Sequence, residues 1–81
     1  MSFKKMMKEY KFKNMGEYFS RVEEEDIYEV IRVGNKYVVR RESSCRFDVR
    51  VSVDICSGLE ELEIVLRDIL DYYDCYFEEE E

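Results

Sequence analysis

The chain has 81 residues, 46% hydrophobic and 41% charged, with 20 acidic against 13 basic side chains and a net charge of −7. A chain this short is expected to fold as a single domain over 1–81, burying roughly 60–65% of its unfolded surface around one small core. The lack of any His excludes imidazole-based dyads, triads and proton shuttles. No apolar run approaches the ~20 residues of a membrane-spanning helix.

Charge is sorted along the chain. Residues 1–22 carry six Lys/Arg and two Glu, residues 23–53 six Arg/Lys and seven Asp/Glu, and residues 54–81 eleven Asp/Glu with only Arg67 as counter-charge. One end is basic and the other is a polyanion, and a polyanionic face selects cationic partners. The same acidity disfavours docking on anionic lipid. Met1-Ser2-Phe3-Lys4-Lys5 is not followed by the long apolar stretch of a secretory leader. With three scattered cysteines, Cys45, Cys56 and Cys75, this predicts a reduced, cytoplasmic protein without a structural disulfide.

In chain order, 1–23 reads as a basic helical segment. Phe3, Met6, Met7 and Tyr10 fit one helical template, and Met15, Tyr18, Phe19 and Val22 fit another. At 100° per residue the two sets point about 120° apart, so one straight helix cannot bury both. The spacing therefore predicts a helix near 2–10, a break near 11–14 and a second helix near 15–23, which Asn14 and Glu17 would open as a capping box. Tyr10–Lys13 as a short extended piece is the alternative. A β-meander is expected over 27–55. Ile27–Val33 and Lys36–Arg41 flank Gly34-Asn35, a two-residue hairpin signal, which sets Glu29 across from Arg40. Its two faces carry Ile27, Ile31, Val33 and Val38 on one side and Tyr28, Val30, Tyr37 and Val39 on the other. One meets the core and the other needs a cover. After a turn at 42–44, a third strand from Cys45 to Ile55 alternates strictly. Phe47, Val49, Val51, Val53 and Ile55 line its apolar face, and Arg46, Asp48, Arg50, Ser52 and Asp54 its polar face.

Ser57-Gly58-Leu59-Glu60 resembles a capping box opening a helix over 57–77. Leu59, Leu62, Val65, Leu66, Ile69, Leu70, Tyr73 and Tyr76 form its apolar arc. Glu78–Glu81 oppose the helix dipole and are expected to fray. The expected fold is α+β, in the order α(α)βββα, with the C-terminal amphipathic helix packed on the Phe47–Ile55 face.

No catalytic constellation emerges. Cys45 beside Arg46 is the nearest thing to an activated thiol, and it reads more simply as structural. The cysteine spacing matches no zinc signature, the Glu23–Asp26 run lacks the Gly and alternating ligands of a calcium loop, and no Gly-rich loop cradles a phosphate. No cofactor or metal is expected. The sharpest positive signal is the outward face of the last helix, where Glu60, Asp68, Asp71, Asp74 and Glu78 carry charge beside Ile64 and Cys75. Carboxylates repeating along a helix imitate the regular negative charge of a nucleic-acid backbone. An apolar Ile64 among them would supply affinity where the charges supply steering. A solvated helix face with one stray Ile explains the same pattern.

In size and charge the chain resembles the small acidic proteins of phages and mobile elements, such as anti-restriction and anti-CRISPR proteins. The resemblance implies a non-enzymatic inhibitor that occupies the positively charged groove of a nucleic-acid-handling enzyme, with Glu60, Ile64, Asp68, Asp71, Asp74, Cys75 and Glu78 at the contact. Two alternatives remain: a small adaptor or oligomerising subunit, a homodimer among the options, that uses an uncovered sheet face, and a single-strand nucleic-acid binder that uses an Arg/Tyr sheet face. The net negative charge disfavours the latter.

Overall fold

In a computed structural model, residues 2–45 and 47–80 are described; for Cys45 and for 71–80 only the course of the backbone is. The fold is α+β. Helix α1 (Phe3–Glu9) is followed by strands β1 (Lys13–Asn14), β2 (Phe19–Glu23), β3 (Asp26–Val33), β4 (Lys36–Cys45) and β5 (Asp48–Cys56), and by helix α2 (Leu59–Glu80). The strands form one five-stranded sheet in sequential order, every pair antiparallel.

Helix α1 starts where Ser2 Oγ accepts a hydrogen bond from the Lys5 N–H at 3.2 Å, an ordinary N-cap. It ends in a Schellman turn. The Lys11 N–H donates to Lys8 O and the Phe12 N–H to Met7 O, at 3.1 and 2.9 Å, with Lys11 left-handed at φ +62°. That turn carries Phe12 back over the helix into the core.

The expected second helix over 15–23 is instead the β1–β2 hairpin. The Asn14 side chain does cap a turn, but of another kind: its Oδ1 accepts from the Gly16 N–H at 2.8 Å, and Gly16 sits at φ +100°, outside helical space. Such Asx turns compete directly with helix initiation. In β2, Phe19 pairs with Val30 and Arg21 with Tyr28, so Phe19 and Arg21 turn inward and Val22 outward. Arg21 donates through Nη1 to Tyr10 O at 2.8 Å and through Nε to Glu23 at 2.8 Å. It thus ties β2 to the C-terminal end of α1, where a cation also complements the helix dipole.

The Gly34-Asn35 hairpin forms in the expected register, with Glu29 opposite Arg40 and their side chains paired at 2.9 Å. Residues 42–44 do not turn. They extend β4 to Cys45, so the three-stranded meander becomes part of the larger sheet.

The core lies on one side of the sheet. Met6, Met7 and Phe12 from the α1 segment, Tyr28 and Val30 from β3, Tyr37 and Val39 from β4, Cys56 from β5, and Leu62, Leu66 and Leu70 from α2 are buried together. Phe3, Phe19, Val65 and Ile69 pack at its margin. Phe3 meets Phe19 edge-on at 5.2 Å between ring centroids and Tyr37 at 4.8 Å, a favourable aromatic geometry. The Tyr28–Val39 face of the first hairpin is therefore the one both helices cover.

The expectation that α2 packs on Phe47, Val49, Val51, Val53 and Ile55 is overturned, because all of these side chains are exposed. The alternation does hold, but with the opposite sense. Cys56 pairs with Tyr37 and Asp54 with Val39, so the polar residues of β5 share the helix-side face and the apolar ones point away. The chain leaves β5 through buried Cys56 and enters α2 on that same side. Helix α2 begins at Leu59, and the Ser57 N–H donates to Glu61 rather than Glu60, at 2.8 Å. The expected fraying of 78–81 lies outside the described side chains.

Candidate protein-interaction surface

Sheet register places Val22 of β2, Ile27, Glu29, Ile31 and Val33 of β3, Val38, Arg40 and Glu42 of β4, and Val49, Val51, Val53 and Ile55 of β5 on one common face. Both helices pack on the other side, so this face is open. Val49, Val51, Val53 and Ile55 are between 52% and 62% exposed, and Val22 is 66% exposed. Phe47, in the turn before β5, is 95% exposed. Four strands at ~4.8 Å spacing and seven residues at ~3.3 Å rise give a projected footprint of about 450 Å². The Glu29–Arg40–Glu42 triad occupies part of that area and apolar side chains the rest, and exposed apolar patches of a few hundred Å² often mark binding surfaces.

The polar groups within the face are paired with one another, one guanidinium between two carboxylates. Arg40 donates to Glu29 at 2.9 Å and to Glu42 at 2.7 Å. This compact triad sits between apolar neighbours. Beside it, Tyr18, Glu29, Ile31, Val38, Arg40 and Val53 line a shallow depression of about 370 Å³. The face is thus apolar and close to electroneutral, although the whole chain carries −7.

On the helix side, a second polar cluster closes the far end of the core. Arg41 lies over the Tyr28 ring at 5.8 Å and reaches Asp26 at 3.5 Å, and the Tyr28 hydroxyl donates to the same carboxylate at 3.4 Å. Burial pushes the Tyr28 phenol above its ordinary range, and Asp26 adds to the shift. Burial likewise raises the Cys56 thiol, helped by Glu61 and Asp54. A thiol held protonated and buried is inert as a nucleophile.

The residues expected at the contact divide in two. Glu60, Ile64 and Asp68 are exposed on α2, with Ile64 67% exposed. They sit one turn apart, as a single outward stripe requires. Asp71, Asp74, Cys75 and Glu78 belong to α2, but their side chains lie outside the described residues. Among the described residues no group of three or more His, Cys, Asp or Glu side chains converges as a metal site, and no helix is long and apolar enough to cross a membrane.

The sequence points to a hairpin face in need of a cover, but not to β5 as part of it, because that strand's alternation looks like core. Strict alternation tells which residues share a face, not which face is covered. The available signal was the hairpin itself, since apolar residues on both its sides require a second cover. Comparison with protein-family models, with curated proteins and with solved structures yields no significant match.

Proposed function

We propose that this chain is a small non-enzymatic protein-binding module whose contact surface is the open face of the sheet. The observation that carries the reading is the run of outward Val49, Val51, Val53 and Ile55, continued across the sheet from Ile55 by Val38 and Ile31. Affinity at protein interfaces comes from a desolvated apolar centre, and charge contributes mainly orientation and rate. The Glu29–Arg40–Glu42 triad, internally paired and carrying a formal charge of only −1, suits an apolar, weakly charged partner surface, such as another sheet or the apolar side of a helix.

The second reading keeps the acidic helix as the contact, in an inhibitor that fills a cationic nucleic-acid groove. The exposed Glu60–Ile64–Asp68 stripe supports it. It offers one apolar residue where the sheet offers a contiguous field, so the sheet is the stronger candidate.

The two readings separate experimentally. In Val51→Lys/Val53→Glu each new charge faces an opposite one across the strand pair, Glu42 and Arg40, so folding is preserved. Capture of the cellular partner should be lost in this variant and retained in Glu60→Lys/Asp68→Lys. Wild-type capture should vary little with salt. Loss of capture only in the helix variant, with steep salt dependence, would transfer the function to the acidic helix.

A further inference from the structure

We propose that β5 is a self-pairing edge, through which two copies of the chain join antiparallel about a two-fold axis at Ser52 to make one continuous sheet. This goes beyond the docking face and does not depend on it. The two edges of the sheet differ. On one side the sheet ends in β1, a strand of 2 residues; on the other it ends in β5, a strand of 9 residues. Natural edges are blunted by shortness, Lys, Pro or bulges. β5 contains neither Lys nor Pro, and its pairing with β4 runs unbroken from Tyr37↔Cys56 to Cys45↔Asp48.

The direction of its free backbone groups follows from register. The Ser44 N–H reaches back to Glu25 O at 3.2 Å, on the β3 side of β4. Backbone direction alternates along a strand, so Ser43, Arg41 and Val39 face β5 and bond their partners Arg50, Ser52 and Asp54. Val49, Val51, Val53 and Ile55 therefore aim their N–H and C=O groups off the edge of the sheet.

Charge then selects both partner and register. A two-fold axis at Ser52 pairs Val51 with Val53 of the partner subunit and Val49 with Ile55 of the partner subunit. These are the residues with free backbone groups, so each pair is doubly hydrogen-bonded. The same axis places Arg50 opposite Asp54 of the partner subunit, twice by symmetry. Both ion pairs fall at non-hydrogen-bonded positions, where facing residues approach most closely. An axis at Val51 would set Asp48 against Asp54 of the partner subunit, and an axis at Arg50 would set the two Arg50 side chains against each other. The Ser52 axis is the one that overlaps the whole strand with opposite charges matched. Arg50 is free to make this exchange, since its contact with Asp48 is long, at 3.8 Å, and both side chains are largely solvated. Ile64, with Asp68, lines a depression beside Asp54 on the helix side of this edge. Its exposed side chain thus lies along the seam.

The test is self-association of the full chain, followed by sedimentation velocity over a concentration series. The wild type should form a dimer. Arg50→Asp or Asp54→Arg should weaken it about tenfold or more, because two opposite-charge pairs become two like-charge pairs at once. The exchange Arg50→Asp/Asp54→Arg should restore it. In a Cys45→Ser/Cys75→Ser background, Ser52→Cys should form an intermolecular disulfide on mild oxidation, since facing non-hydrogen-bonded residues lie ~4.5 Å apart, and Val51→Cys should not. Val51→Lys/Val53→Glu should leave the dimer intact, which distinguishes it from any failure of the docking face. A wild-type chain that stays monomeric to millimolar concentration would overturn the proposal. So would a dimer that ignores the Arg50 and Asp54 reversals, or one that Val51→Lys/Val53→Glu dissolves.

Discussion

Among the described residues, two non-glycine positions hold left-handed backbone in tight turns, Lys11 at φ +62° and Glu24 at φ +51°. An L side chain in this region costs roughly 1–2 kcal/mol. Glycine removes that cost and returns part of it as unfolded-state entropy. Lys11→Gly and Glu24→Gly should each raise stability by about 0.5–1 kcal/mol, read as a melting temperature several degrees higher in a domain of this size. Titration gives a second expectation at this scale. Tyr28 and Cys56 are both raised in the folded chain, so the folded state holds its protons more tightly than the unfolded state does. Their contribution is complete below the ordinary thiol and phenol values, about pH 8.5 and 10, and is lost as pH rises above these through the raised values of the folded chain. Denaturant midpoints should fall on the alkaline side, and Tyr28→Phe should flatten the upper part of that fall. Native Cys56 should also alkylate far more slowly than the same thiol in urea.

Among the elements, α2 contributes three buried leucines, Leu62, Leu66 and Leu70. Leu62 and Leu66 are fully buried, and Val65 and Ile69 sit at the core margin. Leu62→Ala and Leu66→Ala should each cost about 2–5 kcal/mol, with smaller losses at Val65 and Ile69, measured by chemical denaturation. These positions were legible from their 3.6-residue spacing, as the first hairpin was from Gly34-Asn35. The N-terminal third was legible only to Tyr10. There the spacing of Met15, Tyr18, Phe19 and Val22 satisfies a helix and also a strand with a preceding turn. What decides is local: Asn14 bonds the Gly16 N–H and Gly16 takes a positive φ. In β5 the period was legible and the side was not. The covered side is set by neighbours remote in sequence, above all Tyr28, Tyr37, Met6 and Met7, whose bulk gathers both helices on one face.

At the scale of the whole molecule the two faces have opposite characters. One carries both helices and the exposed Glu60–Ile64–Asp68 stripe; the other is aliphatic and nearly neutral. The charge count leads to the acidic stripe of the first. It could not reveal the second, because outward valines on a half-covered sheet have the same pattern as inward ones. The proposed function rests on β5 turning its valines to solvent. Methyl relaxation by a soluble, inert paramagnetic chelate measures this directly on the isolated chain. The methyl groups of Val22, Val49, Val51, Val53 and Ile55 should relax strongly, and those of Val30, Val39, Leu62 and Leu66 should be protected. Protection of Val49, Val51, Val53 and Ile55 alongside the core methyls in the monomeric chain would contradict the open face and return these residues to the interior.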